Sequence, residues 1–274
     1  MVTGVLAARL GARRDAVCAD RVAAVAARNV IALRAGPSYL LIVISGFFEP
    51  LLYLLSIGVG VGGLIGDLTL PDGTTLSYAA FVAPAMLAAA AMTGALAETT
   101  MNFFHKMKYS KIFEAVLATP VRPFEVALGE LTWAVVRGSV YTVLFLAVMV
   151  ALGLTAPGWA LAAFPATVLA GLAFGAAGMA AATLMRGWQD FDLLNTVQFA
   201  LFLFSGSFSP VQAYPAGVEV LIWLTPLYHA VELIRGLAIG RLGVGLVVHA
   251  AYLVAMMAAG LVFAGRRLHR VLCE

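Results

Sequence analysis

Residues 78–111 read YAAFVAPAMLAAAAMTGALAETTMNFFHKMKYSK. From Tyr78 to Phe104 the only acidic or basic side chain is Glu98, and three lysines then follow within residues 106–111. A helix needs about 20 mostly apolar residues to cross a bilayer, and Lys and Arg accumulate in cytosolic loops. The stretch therefore predicts a transmembrane helix that ends at the cytosolic surface of a membrane.

Five more apolar segments lie on either side of this one. They run over about 38–64, 128–152, 161–185, 193–208 and 244–264. Of the 274 residues 62% are hydrophobic and 11% are charged, whereas a soluble domain has about 25% charged residues and a disordered chain has low hydrophobicity. We therefore predict an all-α membrane protein with six transmembrane helices within 38–264. Six crossings place both termini on one side.

The distribution of basic residues predicts which side that is. Fourteen of the seventeen Lys and Arg residues lie before, between and after the apolar segments in four stretches, 1–37, 105–127, 186–192 and 265–274. The intervening loops 65–77 and 153–160 contain no basic residue. By the positive-inside rule, both termini and the basic loops are expected in the cytosol. Basic groups that alternate with apolar spans also exclude a nucleic-acid-binding patch.

The segment before the first span is predicted to form an amphipathic helix at the membrane interface. Arg14, Arg21 and Arg28 recur at heptad spacing within 14–34, and a second face is apolar. Such a helix suits the cytosolic surface of a bilayer, where its arginines reach phosphate groups. The alternative is a frayed basic tail.

The basic loop 105–130 contains a second amphipathic segment, Ser110 to Leu117, which the Thr119-Pro120 pair follows. Its apolar side consists of Ile112, Phe113, Val116 and Leu117, and its polar side of Lys108, Lys111 and Glu114. A bare connection between two spans does not need outward-facing apolar residues. We expect that either the membrane or a partner protein covers them.

The stretch 209–243 is apolar but interrupted by Pro210, Pro215 and Pro226. Its two apolar pieces are too short to cross a bilayer, which is typical of re-entrant or interfacial helices. We predict a helical hairpin over about 210–240 on the outer side that turns near 224–226. Glu232 and Arg235 lie at i,i+3 and are expected to pair, and His229 is placed to join them.

Three charges fall well inside predicted spans, away from their ends: Glu49, Glu98 and Arg137. A charge in lipid is costly and marks a functional site or a structural pair. All three fall in the cytosolic half by counting helical rise. We expect Arg137 to be neutralised by Glu49, by Glu98 or by both.

The chain lacks the common catalytic motifs. Its only lysines, at 106, 108 and 111, do not follow a Gly-rich loop, so the sequence contains no P-loop for ATP. Its four histidines lack metal-ligand spacing, and two cysteines cannot build a disulfide framework or a zinc site. We expect no cofactor, metal or catalytic residue in this chain. A lipid-modifying enzyme, a membrane scaffold or a secondary transporter remain rival classes, although no inverted repeat is visible.

The sequence resembles the permease subunits of ABC-2 type exporters, the six-helix type V class, and within it the NodJ lipo-oligosaccharide export permeases, with the daunorubicin-resistance permeases as wider relatives. The most specific motifs are Phe204-Ser205-Gly206-Ser207-Phe208-Ser209-Pro210, Tyr214-Pro215, Thr225-Pro226-Leu227-Tyr228-His229 and Glu232 to Arg235. Further matches are Glu49-Pro50-Leu51-Leu52-Tyr53, Glu98-Thr99-Thr100, Thr119-Pro120, Leu128-Gly129-Glu130 and Trp188-Gln189-Asp190-Phe191-Asp192.

This resemblance implies a function and a set of partners. In such exporters two permeases pair, identical or not, and two separate ATPase subunits bind them in the cytosol and hold ATP and Mg²⁺. The coupling helix that contacts the ATPase would lie at about 108–119, and the substrate would be a glycolipid, a lipo-oligosaccharide or a lipid-linked glycan moved outward across the bacterial cytoplasmic membrane. Drug efflux by a permease of the same family is the alternative.

Overall fold

The computed structural model of the protein describes residues 17–35, 48, 50–70 and 73–273. Within these ranges the chain is helical apart from one β-hairpin and the connecting turns. The helices are α1 Ala19–Ala35, α2 Pro50–Ile65, α3 Tyr78–Tyr109, α4 Ile112–Leu117, α5 Pro123–Ala151, α6 Pro157–Ala182, α7 Asp190–Leu203, α8 Ala216–Leu224, α9 Pro226–Ile239 and α10 Val244–Cys273. The predicted helical membrane protein is confirmed at this level.

Four of the described helices, α3, α5, α6 and α10, are long and apolar enough to cross a membrane. The bent pair α8 and α9 would make a fifth span if both halves belong to one crossing. Helix α2 is a shorter apolar helix, and α7 has only 14 residues. Six crossings therefore remain a prediction.

Several helix boundaries differ from those expected, and two of the differences have a clear local cause. Helix α5 begins at Pro123 rather than at 128, because Pro occupies its first turn and Glu125 Oε2 accepts a hydrogen bond from the Arg122 amide at 2.9 Å. Helix α7 begins at Asp190 and ends at Leu203, before the predicted end at 208. Gly206 adopts a positive φ of 68° in the turn that follows, and a helix cannot continue through that conformation.

Helix α6 lies at the centre of the packing and contacts α3, α5, α9 and α10. Small residues allow this close approach. A Cβ added at Gly178 would lie 2.6 Å from the Thr99 hydroxyl of α3, and one at Gly260 of α10 would lie 2.7 Å from the Ala176 backbone. The short helices α2 and α7 pack at the periphery.

The predicted external loop 65–77 contains the hairpin, which the sequence did not indicate. Strand β1, Asp67–Thr69, pairs antiparallel with β2, Thr75–Ser77, in the register Asp67 to Ser77. Gly73, with φ of 83°, provides the turn. The Ser77 hydroxyl then accepts a hydrogen bond from the Ala80 amide and caps α3.

Candidate functional site

A cavity of about 390 Å³ lies between α2, α3, α5 and α7. Its walls are mainly apolar, and they include Met86, Met92, Phe199 and Phe202. This volume falls within the range of roughly 300–1,000 Å³ that is common for small-molecule sites. The cavity is the candidate binding site of the protein.

The Arg137 guanidinium pairs with the Glu98 carboxylate on the wall of this cavity. Arg137 Nε also donates to the Tyr141 hydroxyl at 2.7 Å. Glu98 begins a π-helical turn of α3, Glu98–Asn102, and is 5% exposed. The structure therefore places Glu98 beside Arg137, as one of the expected alternatives. The other expected partner, Glu49, lies outside the described residues.

Uncharged polar side chains complete the cavity. Gln198 Nε2 of α7 donates to the Thr93 hydroxyl of α3 at 3.0 Å. Asn102 and Asn195 also line the space. Neither Thr93 nor Gln198 was among the sequence-predicted site residues, because single uncharged polar residues are common in membrane helices and give no specific signal.

Arg235 of α9 holds the outer motif together. Its Nη2 donates to the Gly206 carbonyl at 2.8 Å, its Nε to the Phe81 carbonyl at 3.2 Å and its Nη1 to Glu232 at 2.5 Å. Its guanidinium carbon also lies 3.9 Å from the centroid of the Phe81 ring. Arg235 is 4% exposed. The buried Arg235 thereby joins α9 to α3 and to the turn after α7.

The rest of the outer motif shapes that turn and the following bend. The Ser205 and Ser207 hydroxyls lie 2.7 Å apart and are buried, and Pro210 precedes a short 3₁₀ turn, Val211–Ala213. Pro215 precedes α8, and Pro226 begins α9. Helices α8 and α9 meet at an angle of 83°, in the place where the hairpin turn was predicted.

His229 does not join the Glu232–Arg235 pair, contrary to expectation. Its Nδ1 lies 2.8 Å from Nδ1 of His249 in α10, and its ring stacks on Tyr252 with centroids 3.9 Å apart. The reason is that α10 packs against this face of α9 and offers an imidazole within hydrogen-bonding distance.

A helix, α4, lies within the segment expected to couple to an ATPase, but Phe113 does not face outward. Its ring is fully buried in a cluster with Phe103, Met107 and Val126, and the Phe103 and Phe113 centroids lie 5.0 Å apart. The helix is also shorter than predicted, because Lys111 adopts a left-handed φ of 50° just before it begins. The expectation that the membrane or a partner protein covers Phe113 is therefore wrong, since the chain itself covers this side chain.

The exposed face of this region is polar. Lys111 and Glu114 form a surface pair at 3.5 Å, with side chains 67% and 58% exposed. Thr119, Pro120 and Lys108 are exposed as well, while Ile112 and Leu117 are partly buried. The Lys108 ammonium donates to the Arg186 carbonyl at 2.6 Å, which ties this region to the next loop.

Helix α1 is fixed to α5 through two buried carboxylates, Glu125 and Glu130, which were not among the sequence-predicted site residues. Glu130 is 2% exposed and accepts from Arg28 at 2.8 Å and from Lys106 at 2.6 Å. The fully buried Glu125 accepts from the Cys18 amide at 2.9 Å. Arg28 therefore pairs with a carboxylate of the chain.

The comparison with protein families agrees with the motifs and helices described above. The model of the family described as ABC-2 type transporter matches residues 21–239. The chain belongs to the ABC-2 type transporter family. This ABC-2 chain is 34% identical to Nodulation protein J of Rhizobium leguminosarum bv. trifolii over 194 residues, which is 70% of the chain and 72% of the relative.

Other relatives of the ABC-2 chain carry the same name. It is 32% identical to Nodulation protein J of Rhizobium meliloti (strain 1021) over 199 residues, or 72% of the chain and 74% of the relative. It is 31% identical to Nodulation protein J of Sinorhizobium fredii over 208 residues, or 76% of the chain and 78% of the relative. The matched family and these relatives identify a multi-pass membrane transport permease.

The contact between α1 and α5 in this ABC-2 chain leads to a prediction. A Cβ added at Gly129 would lie 2.5 Å from Val25 Cβ and 3.0 Å from the Val22 carbonyl oxygen. Gly129→Ala is therefore expected to push α1 outward and to lower the free energy of unfolding by about 1–3 kcal/mol. The measurement is denaturation of the purified protein in mixed micelles.

The matched control is Gly138→Ala on the same helix, where an added Cβ meets nothing within 4 Å. Alanine favours a helix over glycine by about 1 kcal/mol, so this variant should be unchanged or more stable. Equal stability of the Gly129 and Gly138 variants would contradict the tight contact between α1 and α5.

Proposed function

We propose that this chain is the transmembrane permease subunit of an ATP-driven exporter in the bacterial cytoplasmic membrane. Both termini and α4 face the cytosol, and the β-hairpin faces outward. Two copies of a separate ABC ATPase bind on the cytosolic side and supply ATP and Mg²⁺, and a second permease, identical or different, completes the membrane part. The basic residues around α4 and the membership of the ABC-2 family support this arrangement.

The observation that carries the proposal is that a buried side chain, Phe113, attaches α4 to the core of the permease. Phe113 fixes α4 to residues near the cytosolic ends of α3 and α5, while Lys111 and Glu114 on the opposite side are exposed. A protein docked on that exposed face would move α4 together with the two long helices, because Phe113 is fully buried against residues of both. This geometry suits the transfer of motion from an ATPase to membrane helices.

The cavity supports an amphipathic substrate, such as a glycolipid, a lipo-oligosaccharide or a lipid-linked glycan. Its walls offer apolar surface for a hydrocarbon portion and a few polar groups for a head. Efflux of a hydrophobic drug is the second candidate, favoured by the aromatic side chains Tyr53, Phe199 and Phe202. ATP-driven accumulation of a glycolipid or of a hydrophobic dye in inverted membrane vesicles separates the two candidates.

The test of the docking face is Glu114→Arg. We expect this charge reversal to lower co-purification of the partner ABC ATPase by about tenfold, because a charge on the ATPase that complements Glu114 would then face a like charge. The stability of the permease should not change, since the Lys111–Glu114 pair is exposed and contributes little.

The matched control is Asp67→Arg, which reverses an exposed charge on the hairpin at the opposite end of α3. It should leave co-purification unchanged. Full recovery of the ATPase with Glu114→Arg, or equal losses in both variants, would show that the exposed face of α4 is not the docking surface. Phe113→Ala is unsuitable for this purpose, because it opens a cavity in the permease core and unfolds the site itself.

A further inference from the structure

Two histidines that lie far apart in the sequence meet where α10 packs against α9. The Nδ1 atoms of His229 and His249 are 2.8 Å apart, and the centroids of their rings are 5.0 Å apart. The two residues are separated by 20 positions, so spacing along the chain gave no metal-ligand motif, and only the packing of the helices brings them together. Both residues are partly exposed, so the pair is not sealed inside the core.

The contact between the two Nδ1 atoms accommodates one proton at most. A neutral imidazole carries a proton on one nitrogen and a lone pair on the other. When both rings carry the proton on Nε2, two lone pairs converge on the same space. A cation that replaces the shared proton therefore gains two imidazole ligands. The ring that loses its Nδ1 proton regains one at Nε2, so binding releases no net proton.

The separation of the two nitrogens favours a particular class of ion. With metal–imidazole bonds of about 2.0–2.1 Å, two ligand nitrogens lie about 2.9 Å apart at an angle of 90° and about 3.3 Å apart at the tetrahedral angle. The observed 2.8 Å fits 90°, which is the angle between neighbouring ligands of square-planar or tetragonal Cu²⁺ and Ni²⁺. Tetrahedral Zn²⁺ would require the two rings to move apart.

The groups around the pair hold the rings in place and favour a cation. The Tyr252 ring stacks on His229 with centroids 3.9 Å apart, and Tyr228 meets both imidazoles edge-on. Glu232 lies one turn from His229 on α9, and its negative charge acts on the second histidine. One oxygen of Glu232 binds Arg235, which offsets part of this charge. The imidazoles therefore converge on a space beside a partly compensated carboxylate.

We propose that His229 and His249 form a two-histidine site for Cu²⁺ or Ni²⁺ that ties α9 to α10. Water completes the coordination, because the described part of the chain contains no group of three or more His, Cys, Asp or Glu side chains that could hold a metal ion. An ion held by two protein ligands exchanges with the solution and acts as a reversible link between the two helices. The site is independent of the proposed export function and can be measured without the ATPase.

The experiment uses the full chain in mixed micelles, without an affinity tag that binds metal. With one equivalent of Cu²⁺, the electron paramagnetic resonance spectrum should show a tetragonal ion with two imidazole nitrogen ligands. His229→Gln and His249→Gln should each remove one nitrogen and weaken Cu²⁺ binding by at least about tenfold, since even groups behind a ligand contribute about 10–100-fold. Ni²⁺ should raise the midpoint of denaturation of the wild-type chain but not of either variant, because the ion binds only the folded pair.

The matched control is His105→Gln, which changes an exposed histidine beside Ser110 and should leave the Cu²⁺ spectrum and affinity unchanged. A wild-type spectrum with fewer than two nitrogen ligands would overturn the proposal and leave the pair as a hydrogen bond only. Equal losses in all three variants would overturn it as well, because they would show adventitious binding to any histidine. Tighter binding of Zn²⁺ than of Cu²⁺ and Ni²⁺ would refute the argument from the nitrogen separation. The midpoint shift in the wild-type chain tests the site even where a variant fails to fold.

Discussion

Arg235→Met is expected to lower the free energy of unfolding by about 3–5 kcal/mol. The substitution keeps much of the apolar stem but removes every donor. The carbonyl oxygens of Gly206 and Phe81 then lose a charged hydrogen-bond partner, and the Glu232 carboxylate loses its counter-charge. Denaturation in mixed micelles measures the loss, and a fall in the amount of protein recovered from membranes should accompany it.

The control for this prediction is Arg266→Met, which removes an exposed arginine of α10 and should change stability by less than about 0.5 kcal/mol. Arg235→Lys provides a graded test. It keeps the positive charge, but a single ammonium nitrogen cannot reach the three acceptors that the planar guanidinium reaches. The stability of Arg235→Lys should therefore lie between those of wild type and Arg235→Met. Wild-type stability for Arg235→Met would contradict the joining role of this side chain.

The second large effect is expected at the cavity wall. Arg137→Met should cost about 3 kcal/mol, because it leaves the buried Glu98 carboxylate without its partner. Adding Glu98→Gln should recover part of that loss, since the uncharged amide is cheaper to bury. A double-mutant cycle on the two positions is expected to give a coupling energy of about 1–3 kcal/mol.

The surface pair Lys111 and Glu114 is the matched comparison for that cycle. Both side chains are mainly exposed, so their coupling should stay below about 0.5 kcal/mol. Additive effects at Glu98 and Arg137 would mean that the two charges do not stabilise each other in the folded protein. Glu49, the other expected partner, would then be the next position to test.

Apolar length predicted a helical membrane protein, and four of the described helices are long and apolar enough to cross a membrane. The depth of each charge within its span also selected Arg137 and Glu98 as neighbours. Depth alone was insufficient to choose between Glu98 and Glu49, because that choice depends on which helices pack side by side. The bend between Leu224 and Pro226 was predicted for a different reason, since a proline after a short apolar segment is a strong local signal.

The errors came from local geometry. The Arg122-Pro123 pair followed by Glu125 is a helix-start signal, and it places Glu130 two turns inside α5 rather than at its edge. Using that signal would have identified Glu130 as an intramembrane or interfacial carboxylate. The apolar residues of α4 do not show which face of the helix is buried, because the helix has only six residues. Its orientation depends on the left-handed backbone of Lys111, where it begins.

The three hydrogen-bond acceptors of Arg235 are all synthesised before Arg235 itself. Phe81 and Gly206 precede Arg235 in the chain by 154 and 29 residues, and Glu232 precedes it by three. Because a ribosome delivers the chain from the N-terminus, all three acceptors are synthesised before the guanidinium emerges. Glu98 likewise precedes Arg137 by 39 residues. Arg235 thus reaches the insertion machinery after all three of its acceptors, and Arg137 reaches it after its carboxylate partner, so neither cation has to wait in the bilayer for a counter-charge that is still untranslated.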